Sequence, residues 1–337
     1  MKSLLFIFTI VLFIGCSYNN TPDVSGVNIP LKTHRFEQAF FSIDSNNIPA
    51  GLHQLQQQFP GFTNDFTVNI LGAGPISDSN QVLLKATMAF YQSYLPVNDS
   101  LQKKYSDISK LEKDIHHALQ YVKYYFPKYP IPAHLVSFIG PFDAPGIALT
   151  QDALAIGLQL FAGKNSSFYN SEQGQQLYPA YISRRFDQEY IVPGCMKAIT
   201  EDMFPDQSGG KSLIDQMIAK GRYWYLLDRV LPETPDSLKS GFKQQQIEWC
   251  KANEGLLWNF FLQNNQLFST DPSFIQLYIG EAPDTQGFGE ASPGNIGQWV
   301  GWQIVRTYMN KHPETSPLQL MGMDTKAIFN ESKYKPK

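Results

Sequence analysis

Histidine, cysteine and charge are all scarce in this chain of 337 residues, and each shortage removes a class of chemistry. The six histidines stand at positions 34, 53, 116, 117, 134 and 312. None is followed by glutamate, and none has a second histidine four residues on. No H-E-x-x-H helix can therefore present two imidazoles and a carboxylate to a zinc ion on one face. The neighbours His116 and His117 point about 100° apart on a helix and do not chelate. Three cysteines are too few for a disulfide framework. Cys195 and Cys250 are either one bridge or two buried apolar residues, and spacing alone does not decide between them. Charged residues make up only 17%, with 27 Lys and Arg against 30 Asp and Glu and no basic stripe, which excludes nucleic acid as a partner. A Gly-x-Ser-x-Gly elbow for a nucleophilic serine is missing. Gly210-Lys211-Ser212 has Pro205 where a phosphate-binding loop needs glycine, and a helical segment precedes it where a strand should. Glu201, Asp202, Asp284 and Glu290 show no spacing that nominates a glycosidase pair. The sequence supplies no catalytic residue, no metal ligand and no cofactor-binding residue.

What is present begins at the first residue. Lys2 is followed by an apolar run from Leu4 to Ile14, interrupted only by Thr9, and then by Gly15 and Cys16. This is the layout of a secretory signal peptide, too short to span a bilayer as a permanent helix. A cysteine directly after a small residue is the bacterial lipoprotein arrangement. Cys16 is thus the expected lipidation site, with cleavage just before it. One departure is Phe13, three places before the cysteine, where leucine is usual. No later apolar run is long enough to cross a membrane, so attachment would rest on the lipid. The expected organisation is a lipoprotein signal peptide (1–15), a flexible tether rich in Asn, Ser, Pro and Gly (16–34), and a single globular domain (35–337).

Hydrophobic residues at 43% are enough to build a core for that domain. The periodicities predict a short strand over 35–41, then helices over 49–59, 62–71, 78–95 and 99–126. The sheet falls within 132–161, where 134–140, 146–151 and 153–161 read as strands between Pro, Gly and Asp turns. Helices follow over 175–203, 211–230, 236–264 and 293–310, the last with Ser292 as its cap and Pro293 in its first position. Gly297 and Gly301 on that helix mark a face where a neighbouring helix can approach closely. Residues 311–337 read as a C-terminal tail. Helices, a small sheet and helices again, without strand-helix alternation, give an α+β fold that is mainly α-helical with one small β-sheet. The aromatic content, 24 Phe, 17 Tyr and 5 Trp, admits stacking on sugars. Trp249, Trp258, Trp299 and Trp302 nevertheless fall at core-like helical positions. The loop 280–295, polar and glycine-rich, is a candidate contact surface.

Several stretches carry a family resemblance. IGLQLFAGKNSSFY (156–169), YPAYISRRFDQEYIV (178–192), IEWCKANEGLLWNFF (247–261), SPGNIGQWVGWQIVRTYM (292–309), the early PGFTNDF (60–66) and the closing KYKPK (333–337) resemble the gliding-motility lipoprotein GldB family of Bacteroidota. The resemblance implies an envelope lipoprotein required for gliding motility and the associated type IX secretion machinery. Its partners would be other motility or secretion envelope proteins and, through the lipid, a membrane whose periplasmic side it faces. A more distant similarity is to zincin-type predicted zinc-dependent proteases, whose helix after the sheet carries the metal ligands. Here that helix has no histidine, so the similarity implies a degenerate, zincin-like scaffold without zinc and no enzyme activity. The alternatives are a peptidase or cell-wall glycan hydrolase with a non-standard site, and a glycan-binding lipoprotein.

Overall fold

The computed structural model describes residues 21–77, 79–263 and 266–336. The expected signal peptide and Cys16 lie outside the described residues.

One sheet organises the first half. β1 (Lys32–Arg35), β2 (His134–Phe138), β3 (Ile147–Leu149) and β4 (Ala153–Gly157) lie in the order β1-β2-β4-β3. β1 and β4 run parallel to β2, and β3 closes one edge antiparallel to β4. Every residue of β4 is buried, which is why ALAIG reads as an unbroken apolar run and not as alternation. Between β1 and β2 the chain makes a long helical crossover through α1 (Phe36–Phe41), α2 (Ile48–Gln58), α3 (Pro60–Asp65), α4 (Gln81–Lys104) and α5 (Ser109–Tyr125). Phe36 sits 4.9 Å from both Phe62 and Phe66, ring to ring, at the centre of the crossover.

Three expectations shift at this end. The strand expected over 35–41 stops at Arg35, and a helix starts at Phe36. Phe36 and Phe40 bury one helical turn apart, and Glu37 is wholly buried between Arg35 (2.5 Å) and the Ser137 hydroxyl (2.8 Å). The tether also ends earlier than residue 34. Val24 and Ile29 are buried at 1% and 5% exposure, and Gln120 Nε2 donates to the Val27 carbonyl at 2.8 Å. Branched apolar residues inside a polar composition anchor this stretch to the body. Nor does α4 stop near residue 95; it continues through Pro96. That residue is exposed, so the carbonyl it orphans faces solvent. The break comes at Tyr105, whose hydroxyl donates to the Phe161 carbonyl (2.7 Å), and Asp107 then receives the Ser109 amide (2.8 Å).

After the sheet, the helix expected over 175–203 is divided into α6 (Glu172–Leu177), α7 (Ala180–Ser183) and α8 (Ile191–Met203). Pro179 separates the first two. α9 (Leu213–Val230) follows as expected. The single helix expected over 236–264 is three: α10 (Asp236–Ser240), α11 (Gln244–Ala252) and α12 (Glu254–Gln263). Gly241, at φ 78°, turns the chain left-handed after α10. The remaining helices are α13 (Pro272–Ile279), α14 (Ile296–Lys311), α15 (Pro317–Gly322) and α16 (Thr325–Ser332). The stretch expected as a tail thus belongs to the body: Leu320 and Ile328 are fully buried.

The result is an α+β fold, with 58% of the described residues in helix and 5% in strand. Two apolar cores meet along α9, which gives Leu226, Leu227 and Val230 to the core around the sheet and Leu213, Met217 and Ile218 to the helical one. α9 and α14 cross at glycines, as Gly301 suggested in the sequence. A Cβ on Gly301 would lie 1.8 Å from the Met217 carbonyl oxygen. A charged knot fixes the same pair of helices. Asp228 receives Trp302 Nε1 (2.8 Å), Arg306 (2.7 and 2.8 Å) and Lys239 (2.6 Å), while Arg306 also forks onto Asp236 (2.9 and 3.0 Å). The Arg306 guanidinium lies 3.6 Å from the centre of the Trp302 ring, a stacking that lysine cannot reproduce.

Candidate functional site: a charged cleft between α8 and α14

A cavity of about 510 Å³ opens where α8, α9 and the start of α14 converge, close to the turn at Ser240. Lys197 and Glu201 line it from α8, Lys220 and Trp224 from α9, Glu281 from the segment leading into α14 and Gln298 from the first turn of α14. A larger cleft of about 760 Å³ lies against α5 and α8. There Lys110 pairs with Asp114 at 2.5 Å and Asp187 with Lys104 at 3.0 Å, so those charges already have partners.

In the smaller cavity one cation differs from its neighbours. Lys220 is bridged to Asp206 (2.8 Å), Arg185 grips Glu281 with two bonds of 3.2 Å, and Arg184 donates to the Gly241 carbonyl at 2.6 Å. The Lys197 ammonium makes no hydrogen bond or ion pair among the described residues, although the residue is only partly exposed. Glu201, one turn along the same helix, is on the rim and is likewise unpaired. Lysine N-terminal to glutamate is the poorer order for an i,i+4 pair, because both charges then oppose the helix dipole. Burial pushes the Lys197 ammonium down to about 8, and the Arg185 charge adds to this, while Glu281 and Glu201 act in the opposite direction.

That shift has a sign for stability. The folded value lies below the ordinary 10.5, so the unfolded chain holds the proton more tightly. The resulting penalty is complete below about 8 and disappears as pH rises through 10.5. Lys197→Met is therefore expected to stabilise the protein by about 1–3 kcal/mol at pH 7. Denaturant titration at pH 7 and pH 10 should show the gain shrinking at the higher pH.

The other residues weighed in the sequence sit apart from this cavity, with Glu201 the exception. Cys195 and Cys250 are free and fully buried. Burial pushes both thiols far above their usual range, which makes them core residues and poor nucleophiles. The His34 and His134 rings are hydrogen-bonded to each other at 2.9 Å between β1 and β2, His116 bonds the Ile29 carbonyl, and His312 stacks on Tyr308. Asp202 accepts from the Tyr129 hydroxyl at 2.8 Å. Trp258, Trp299 and Trp302 are buried, so their faces serve packing. Among the described residues no group of three or more His, Cys, Asp and Glu gathers at metal-binding spacing. α8 is the longest of the three α-helices between the sheet and α9. Its cavity-lining residues are Lys197, Thr200 and Glu201.

The loop 280–295 is pinned along its length. The Thr285 hydroxyl donates to the Pro293 carbonyl (2.6 Å), and the Ser292 hydroxyl to that of Gly289 (2.6 Å). Ser292 thereby holds the loop and does not cap α14, which starts at Ile296 after Asn295 in the left-handed region. The tip, 286–291, projects, with Phe288 turned back onto Phe260 at 4.9 Å between ring centres. Cys16 lies outside the described residues. Lys197 escaped notice in the sequence, although it is the lone charge in the run IVPGCMKAIT (191–200).

Compared with known protein families, the chain matches the one described as gliding motility protein GldB, over residues 17–336. No curated protein and no solved structure matches it.

Proposed function

The chain belongs to the gliding motility protein GldB family, and from this we propose that it is a lipid-anchored envelope lipoprotein, held by Cys16 on the periplasmic side. It serves the motility apparatus and its type IX secretion machinery through protein contacts, without turning over a substrate. The observation that carries this reading is the family match over residues 17–336, directly behind a lipoprotein signal that ends at Cys16. No helix among the described residues is long and apolar enough to cross a membrane, so in this reading the lipid is the attachment. Each acyl CH₂ buried contributes roughly 0.8 kcal/mol, and more than one chain makes the anchor stable. The buried, protonated thiols and the absence of catalytic spacings in the sequence favour contact over catalysis.

The test is acylation. Cells fed an alkyne-tagged palmitate should label the wild-type protein, which should fractionate with membranes. Cys16→Ala should be unlabelled and released by osmotic shock. An unlabelled wild type, or undiminished label in Cys16→Ala, would overturn the anchor.

A further inference from the structure

The cleft beside Lys197 holds two unpaired charges of opposite sign in a setting where the neighbouring charges are matched. Lys220 is closed off by Asp206, and Arg185 by Glu281. What remains free is one ammonium, Lys197, and one carboxylate, Glu201, a helical turn apart and lining the same cavity. Residues so placed have Cβ atoms about 5–6 Å apart, and an extended dipeptide spans about 7 Å. The same cavity offers Trp224 and Leu227 as apolar lining. Gln298 spends its amide N–H on the Ile279 carbonyl at 2.7 Å, which leaves its side-chain oxygen available to accept. Leaving a partly buried ammonium without a counter-ion is unfavourable unless a ligand supplies one.

We propose that this cleft binds a short unblocked peptide of about dipeptide size, its carboxylate on Lys197, its ammonium on Glu201 and its side chain against Trp224. The cavity volume is within the range of small-ligand sites, and a ligand carrying both charges completes both unpaired groups together. A simple anion would complete only one of them and would sit beside the Glu201 carboxylate. The site is independent of the lipid anchor, so its failure would leave the anchored reading untouched.

Calorimetry on the full-length protein in detergent at pH 7 tests this, with alanyl-alanine as probe. N-acetyl-alanyl-alanine, alanyl-alanine amide and inorganic phosphate are the comparison ligands. Alanyl-alanine is expected to bind saturably. Each blocked form should bind about tenfold or more weakly, the loss of one charge-assisted contact, and phosphate should bind weakest. Lys197→Met should bind the dipeptide and its amide equally poorly, and Glu201→Gln should no longer distinguish the acetylated form. Because Lys197→Met is expected to be more stable than wild type, its melting point separates lost binding from lost fold. No saturable heat with alanyl-alanine, blocked forms that bind as well as the free one, phosphate binding as tightly, or unchanged affinity in Lys197→Met would each overturn the proposal.

Discussion

Gly301→Ala will cost the protein about 4 kcal/mol or more, a large share of the stability of a typical native protein. The added methyl would lie 1.8 Å from the Met217 carbonyl oxygen and 2.3 Å from its carbonyl carbon. Both are backbone atoms of α9, so no flexible side chain can swing away. The reverse contact is equally close: a Cβ on Gly221 would stand 2.3 Å from the Gly301 carbonyl carbon. Relief requires the two helices to separate. Separation loosens Trp299, Trp302 and Ile304, which are at most 1% exposed, and stretches the Asp228–Arg306 bonds. Overpacking a core costs about 1–3 kcal/mol when side chains can adjust, and here the adjustment must be made by main chain. Thermal unfolding followed by circular dichroism should show a midpoint about 6 °C or more below wild type. Gly322→Ala is the control. Nothing lies within 4 Å of its added Cβ, so its stability should stay within about 1 kcal/mol of wild type. Equal midpoints for Gly301→Ala and wild type would contradict the crossing.

The crossing was legible in the sequence because its cause is local. Two glycines one turn apart on an otherwise apolar helix have few other uses. The sheet was legible for the same reason, since ALAIG can hardly be anything but a buried strand between its flanking turns. What escaped reading was decided at a distance. α1 is a helix because Phe36 and Phe40 meet Phe62 and Phe66, which follow in another element. Pro96 fails to end α4 because its face of the helix is exposed, which the sequence does not state. Ser292 looks like a helix cap but is taken by the turn at Gly289. The cleft was the least visible feature. Lys197 is one charge in an apolar run, and its isolation depends on Arg185 and Lys220 having found carboxylates elsewhere.

Family and address meet at Cys16. If the body works by standing beside a membrane machine, the lipid is part of the function and not merely a route of export. The folded part begins by Val24, which is 1% exposed. About eight residues separate it from Cys16, a reach of roughly 25–30 Å when fully extended. In the proposed lipid-anchored reading, a link of that reach would keep the body at the membrane surface and at high effective concentration for any partner there. Releasing it leaves every packing contact described above in place while removing that confinement. The effect on motility should therefore be total, and the effect on stability negligible.

The decisive measurement is single-cell gliding speed in a strain whose own copy is deleted and replaced by Cys16→Ala, exported by the same signal. An anchor at Cys16 that is part of the function means no gliding, with the variant present in the periplasm at wild-type level and melting at the wild-type temperature. Cells that glide at normal speed with a soluble, unlipidated protein would contradict it.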